Sequence, residues 1–305
     1  MINLQDLTTL RFSGELAALA SAIVWAGASV LFKQIGKTIR PTEMNLLKGL
    51  LAMLMLAVTI VLLREPIPAL ERWVVLFLLI SGAVGIGLGD TAYFTALNAL
   101  GARRALLLMM LAPPMTGLIA LIFLGEQMTA MAWMGVVVTV AGVAWVITER
   151  TPGDQVKSQI PVKGIALGLL AALCQAGGAV LSRAALTQSP ISSLQSSFLR
   201  LAAGAAVLIL WMFFRKEPSG QWLRAAAEKR LWGKILIAVL MGTYICIWLQ
   251  QLALRNAQAG VAQTLMATSP LFILPIAAVS GEKVTPRAVL GVVVAMLGIS
   301  LLFRF

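Results

Sequence analysis

The chain has 305 residues, 60% of them hydrophobic and only 12% charged. A soluble domain is roughly half apolar and a quarter charged, so a soluble globular protein is excluded. The net charge of +12 would suit a nucleic-acid binder, but the basic residues stand in short clusters between apolar runs. That is how lysine and arginine set orientation in a bilayer, and nucleic acid is not an expected partner.

In chain order, an N-terminal segment (1–15, MINLQDLTTLRFSGE) lacks a basic leader, so no signal peptide is expected. Ten apolar runs follow, at 16–35, 44–63, 73–97, 104–124, 130–148, 164–186, 194–214, 234–254, 260–279 and 287–303. Each approaches the roughly 20 residues that a helix needs to cross a bilayer core. A membrane β-barrel would show alternating ten-residue segments instead. The breaks carry turn chemistry: Arg40-Pro41-Thr42, Arg64-Glu65-Pro66, Gly101-Ala102-Arg103-Arg104, Thr151-Pro152-Gly153-Asp154 and Glu217-Pro218-Ser219-Gly220. The polar linker 149–163 separates five spans (16–148) from five more (164–305). Cys174 and Cys246 both fall inside spans, as small apolar fillers, and imply no disulfide.

The two groups of five repeat one another. APPMTGLIALIFLGE (112–126) returns at an offset of 156 as TSPLFILPIAAVSGE (268–282). Pro114 meets Pro270, Gly125 meets Gly281, Glu126 meets Glu282, Thr129 meets Thr285 and Gly142 meets Gly298. GELAALASAIVWAGASVLFK (14–33) aligns at offset 150 with GIALGLLAALCQAGGAVLSR (164–183), and Lys48 meets Arg200 at offset 152. Five is odd, so the second repeat enters the membrane from the side opposite the first. The expected fold is therefore an all-α integral membrane protein of ten transmembrane helices in two inverted five-helix repeats. Five basic residues (Arg11, Arg64, Arg72, Arg255, Arg304) share a side with the termini and sixteen lie on the other, with Lys48, Arg183 and Arg200 set aside as intramembrane. The richer side is expected to be cytoplasmic, with both termini outside.

GDTAYFTALNALGARRALLLMMLAPPMTGLIALIFLGEQ (89–127), together with the matched turns at Gly125-Glu126 and Gly281-Glu282, resembles the drug/metabolite transporter superfamily, specifically its EamA-like ten-helix members. The resemblance spans the chain and implies a proline-bearing helix, a GE turn and a glycine-rich helix closing each half. It implies export of a small metabolite, amino acids first, without fixing the substrate. The second half departs from the first at Asp90, whose counterpart is Cys246.

Asp90 is the strongest candidate for chemistry. A carboxylate in the middle of a span costs about 2.5–3.5 kcal/mol against lipid and should face protein or water. It follows Gly82, Gly85, Gly87 and Gly89, a spacing that loosens a helix or admits a close neighbour. It reads either as a proton, cation or substrate-amine site, or as one partner of a packing ion pair. Lys48 and Arg200 read either as cations reaching a cavity from the two halves, for a carboxylate or phosphate, or as snorkelling or helix-pairing side chains. Lys33 and Arg183, at span ends, read as structural. Trp25 and Gln175 hold equivalent mid-span positions. With Tyr93, Tyr244, Trp248, Gln250 and Gln251 they could line a pocket for a partly apolar ligand, or for the aromatics mark the membrane interface. Glu126 and Glu282 read as cap or turn residues.

With no histidine, no metal-ligand spacing and no nucleotide-binding loop, neither a cofactor nor enzymatic activity is expected. A multi-pass protein of the cell membrane (the inner membrane in a Gram-negative cell) that carries a small molecule by alternating access, with protons as the candidate coupling ion, is the reading that fits. A passive channel and an exchanger of anionic metabolites are the alternatives, and the number of subunits stays open.

Overall fold

The computed structural model describes residues 12–100, 105, 108–147, 162–215, 220, 229–269, 271–272 and 286–302. Most of the N-terminal segment and of the 149–163 linker, Arg103-Arg104, Pro270 and the Gly281-Glu282 turn lie outside them. Among the described residues all regular structure is helical. The helices are α1 (Ser13–Ile35), α2 (Pro41–Leu62), α3 (Arg72–Leu100), α4 (Ala112–Leu124), α5 (Ala130–Ile147), α6 (Val162–Thr187), α7 (Ser193–Arg215), α8 (Arg230–Asn256), α9 (Ala259–Met266) and α10 (Pro286–Leu302). Six of them, α1, α2, α3, α6, α7 and α8, have 22–29 residues and are long and apolar enough to cross a membrane; the other apolar helices are shorter.

Local chemistry places the helix ends. Pro41 opens α2 behind an extended Arg40, because a first-turn proline sacrifices no helical hydrogen bond. Gly125 closes α4 in the left-handed region at φ 64°, the conformation a helix C-terminus asks of glycine.

Both third helices change winding partway. In α3 a π-helical segment covers Ala83–Asp90, and in α8 another covers Leu240–Ile245. At offset 156 the second segment falls on residues 84–89, so the irregularity is itself repeated. The glycine spacing before Asp90 suggested a loosened helix, and the loosening takes this form. Wider winding disturbs the regular carbonyl pairing, and side chains step in. Asn45 Nδ2 donates to the Ile86 carbonyl at 2.8 Å, and Thr91 Oγ1 donates to the Gly87 carbonyl at 2.7 Å.

The halves interlock by exchange. α3 packs on α6 and α7 of the second half, while α8 packs on α1 and α2 of the first; α4 packs on α6, and α9 on α1. Equivalent helices also meet, α2 with α7, α4 with α9 and α5 with α10. The last contact explains the repeated glycines. A Cβ on Gly142 would stand 2.5 Å from the Ala295 nitrogen, and one on Gly298 would stand 2.5 Å from the Thr139 nitrogen. Thr139 and Ala295 are themselves equivalent at offset 156, so one close backbone contact is made twice. Small residues at such crossings are how helices associate where no hydrophobic effect separates protein from solvent. Leu54, Val61, Phe123, Phe213 and Phe214 point outward, each more than half exposed, and form the apolar outside that a bilayer covers.

Candidate functional site

A cavity of about 160 Å³ lies between the halves. Its wall is drawn in matched pairs: Trp25 with Gln175, Lys48 with Arg200, Asp90 with Cys246, Met110 with Met266, and Pro113 with Ser269. Both π segments reach it, through Ile86 and Gly89 on α3 and through Gly242 and Thr243 on α8. A site made of equivalent positions must straddle the relation between the repeats.

On the first-half side, Lys48 of α2 is 4% exposed and its Nζ donates to Asp90 Oδ2 at 2.5 Å. The ammonium also stands 5.3 Å from the centre of the Phe94 ring, a cation–π contact that compensates part of its lost hydration. Asp90 closes the π segment and keeps 28% of its side chain exposed. On the second-half side, Arg200 of α7 is 2% exposed. Its Nη1 donates to Gln251 Oε1 at 2.9 Å, and Gln251 Nε2 donates in turn to Ser196 Oγ. Room for the arginine comes from the glycines of α3. A Cβ on Gly82 would lie 2.1 Å from the Arg200 carbonyl oxygen, and one on Gly85 3.2 Å from Arg200 Nη2.

Neither cation snorkels. Each is buried and bound within its own half, which removes the interface reading of Lys48 and Arg200. Lys48, Asp90, Arg200, Trp25, Gln175, Tyr93 and Gln250 all line the cavity. Tyr244, Trp248 and Gln251 do not. They follow one another at positions i, i+4 and i+7 on α8, while the cavity takes Gly242, Thr243, Cys246, Ile247 and Gln250 from the adjoining face. Tyr244 instead shares a 2.7 Å hydrogen bond with Thr59 Oγ1, Trp248 packs on the apolar core beside it, and Gln251 is the support of Arg200. Ser21, Thr243, Gln263 and the methionines were not anticipated. The pairing of Met110 with Met266 at offset 156 was the available signal.

Glu126 is a cap, but of a helix in the other half. Its Oε2 accepts from the Ala259 N–H at 3.0 Å, at the start of α9, while Oε1 accepts from Arg183 Nε at 2.6 Å. Arg183 Nη1 donates to the carbonyls of Leu254 and Arg255, at 2.9 and 2.7 Å, where α8 ends. Arg183 and Glu126 thus clamp the α8–α9 turn, a structural task. Lys33 is exposed, and Glu282 lies outside the described residues.

Two matched halves thus enclose a largely apolar cavity with three charged side chains in its wall, and comparison with known proteins places the chain in a family. The model of the EamA-like transporter family matches residues 12–148 and again residues 162–304. This chain belongs to the EamA-like transporter family. It is therefore a multi-pass membrane protein of a family of small-solute transporters. A solved crystal structure of a protein, 16% identical, superposes with a TM-score of 0.74 over 96% of this chain and 97% of the other, so the EamA-like chain shares its fold. No curated protein matches the chain.

Proposed function

We propose that this EamA-like protein is a secondary transporter that exports a small metabolite, an amino acid or related compound, by alternating access. The observation that carries the reading is the central cavity, whose wall includes equivalent positions from both halves and holds three buried or half-buried charged side chains. Rocking two like halves about such a site exposes it to one side and then the other. Ten spans in two inverted repeats suit this scheme, with the termini outside and the 221–234 segment in the cytoplasm of a cell whose plasma or inner membrane holds the protein. Asp90, paired with Lys48, is the proposed coupling site.

The deciding experiment is counterflow in proteoliposomes preloaded with unlabelled amino acids. Saturable, trans-stimulated uptake of labelled substrate is expected. Uptake that rises linearly with concentration and ignores the trans side would establish a channel. Orientation has its own check, in which a C-terminal alkaline phosphatase fusion is active and a fluorescent-protein fusion dark. A second reading, exchange of anionic metabolites, is favoured by one observation, the two cations against one carboxylate in the cavity wall. Exchange that depends strictly on an internal anion would select it.

A further inference from the structure

Among the described residues, three buried polar atoms without a hydrogen-bond partner belong to side chains of the cavity wall: Arg200 Nε, Gln263 Nε2 and Thr243 Oγ1. They come from α7, α9 and α8, so all three lie in the second half. Arginine Nε and the glutamine amide nitrogen can only donate, and the threonine hydroxyl is able to. Buried donors are normally satisfied, and these three unmet ones all belong to residues that line the cavity from the second half. The charge balance points the same way. Lys48 is neutralised by Asp90, but where the second half should repeat that acid it has Cys246. Arg200 hydrogen-bonds the neutral amide of Gln251 and shares the field of the same Asp90, so two cations face one carboxylate and the wall as a whole carries one uncompensated positive charge.

We propose that the second-half wall is the docking site for a carboxylate on the substrate, with Arg200 supplying the charge and Gln263 and Thr243 the neutral hydrogen bonds. Within the transport reading, on which this rests, the substrate is recognised through its acid group. Its remaining body meets Trp25, Tyr93 and Met110 across the cavity. Gln251 and Ser196 orient the guanidinium from behind and touch no ligand. Arginine suits the task because its planar fork binds a carboxylate through parallel hydrogen bonds, which lysine cannot copy.

The test compares, on the full-length detergent-purified protein, thermal stabilisation by the proteinogenic amino acids and by small mono- and dicarboxylates, each against its primary amide. For wild type, the best acid should bind roughly 10- to 100-fold more tightly than its amide, the range of one or two charge-assisted hydrogen bonds. Arg200→Gln should erase that preference, and Arg200→Lys should recover only part of it. Gln263→Leu, which keeps the charge, should weaken acid binding about tenfold; it serves also where the Arg200 variants do not fold. The proposal is overturned if no carboxylate stabilises the wild type, if acid and amide bind alike, or if Arg200→Gln retains the preference. Saturable counterflow of neutral or cationic compounds alone would remove the carboxylate site yet keep the transporter. Absence of counterflow for a carboxylate that binds with full acid preference would keep the site and remove the transporter.

Discussion

The two second helices hold one cation each at the same place in the fold, and treat it in opposite ways. Lys48 is paired with a carboxylate 2.5 Å away, whereas Arg200 has an amide oxygen at 2.9 Å and a nitrogen with no partner. The surrounding scaffold is shared down to the repeated π segments and the twofold glycine contact between α5 and α10. Duplication therefore supplies the frame, and single substitutions, above all carboxylate for thiol at 90 and 246, give each wall its own chemistry. One wall carries an internal ion pair, and the other a cation hydrogen-bonded to an amide.

Removing half of the neutralised pair should produce the largest effect. Asp90→Leu strands the Lys48 charge inside the bundle, and breaking a buried pair costs about 3–5 kcal/mol; the 28% exposure of Asp90 points to the lower end of that range. A melting temperature lowered by several degrees is expected, with much of the loss restored in the double variant Lys48→Met, Asp90→Leu. If the double variant is no more stable than the single one, the two charges do not work as a pair. Asp90→Asn, closer in shape, tests coupling. It should abolish transport driven by a pH gradient and spare equilibrium exchange, and full gradient-driven transport would confine Asp90 to packing.

Glycines sharpen the contrast between faces. Gly82→Ala drives a methyl into the Arg200 backbone, with the nearest atom at 2.1 Å, and should cost about 1–3 kcal/mol or more by overpacking. Gly27 and Gly177, equivalent at offset 150, have nothing within 4 Å of a Cβ. Alanine there should be neutral, or stabilise by up to about 1 kcal/mol through helix propensity. Equal melting temperatures for Gly82→Ala and Gly177→Ala would contradict the close approach of α3 to α7.

A loss of similar size is expected at the clamp on the α8–α9 turn. Glu126→Gln removes the charge from the bond to Arg183 and should cost about 1.5–3 kcal/mol, with substrate affinity unchanged because neither residue lines the cavity. A shift in affinity without a shift in melting temperature would make the clamp part of the transport cycle.

Much of this was legible beforehand, for identifiable reasons. Long apolar runs and the residue-for-residue recurrence of Gly125-Glu126 and Gly142 are one-dimensional signals, and they located the six long spans and the repeat. Asp90, Lys48, Arg200, Trp25, Gln175 and Tyr93 could be singled out because polar or aromatic groups in mid-span, some at equivalent positions, need a common destination. The faces of α8 could not be read. A π segment adds residues to a turn and rotates everything after it relative to an ordinary α-helix. Regular periodicity therefore cannot say whether Tyr244, Trp248 and Gln251 or their neighbours meet the cavity. Nor does charge spacing reveal that Glu126 caps α9, since the partners are 133 residues apart.

That rotation gives the finest test of the difference between the two walls, through the two tyrosines of the chain. Tyr93 lines the cavity from α3, whereas Tyr244 is turned toward α2 and bonded to Thr59. Tyr244→Phe should lose one neutral hydrogen bond, about 1 kcal/mol, visible as a small drop in melting temperature with unaltered ligand affinity. Tyr93→Phe should do the reverse where the bound molecule reaches that hydroxyl, changing affinity more than stability. The measurement is a paired thermal melt and ligand titration on both variants. If Tyr244→Phe moves affinity and leaves the melt untouched, the face of α8 presented to the substrate is the one carrying Tyr244, Trp248 and Gln251, and the π segment has been given the wrong turn.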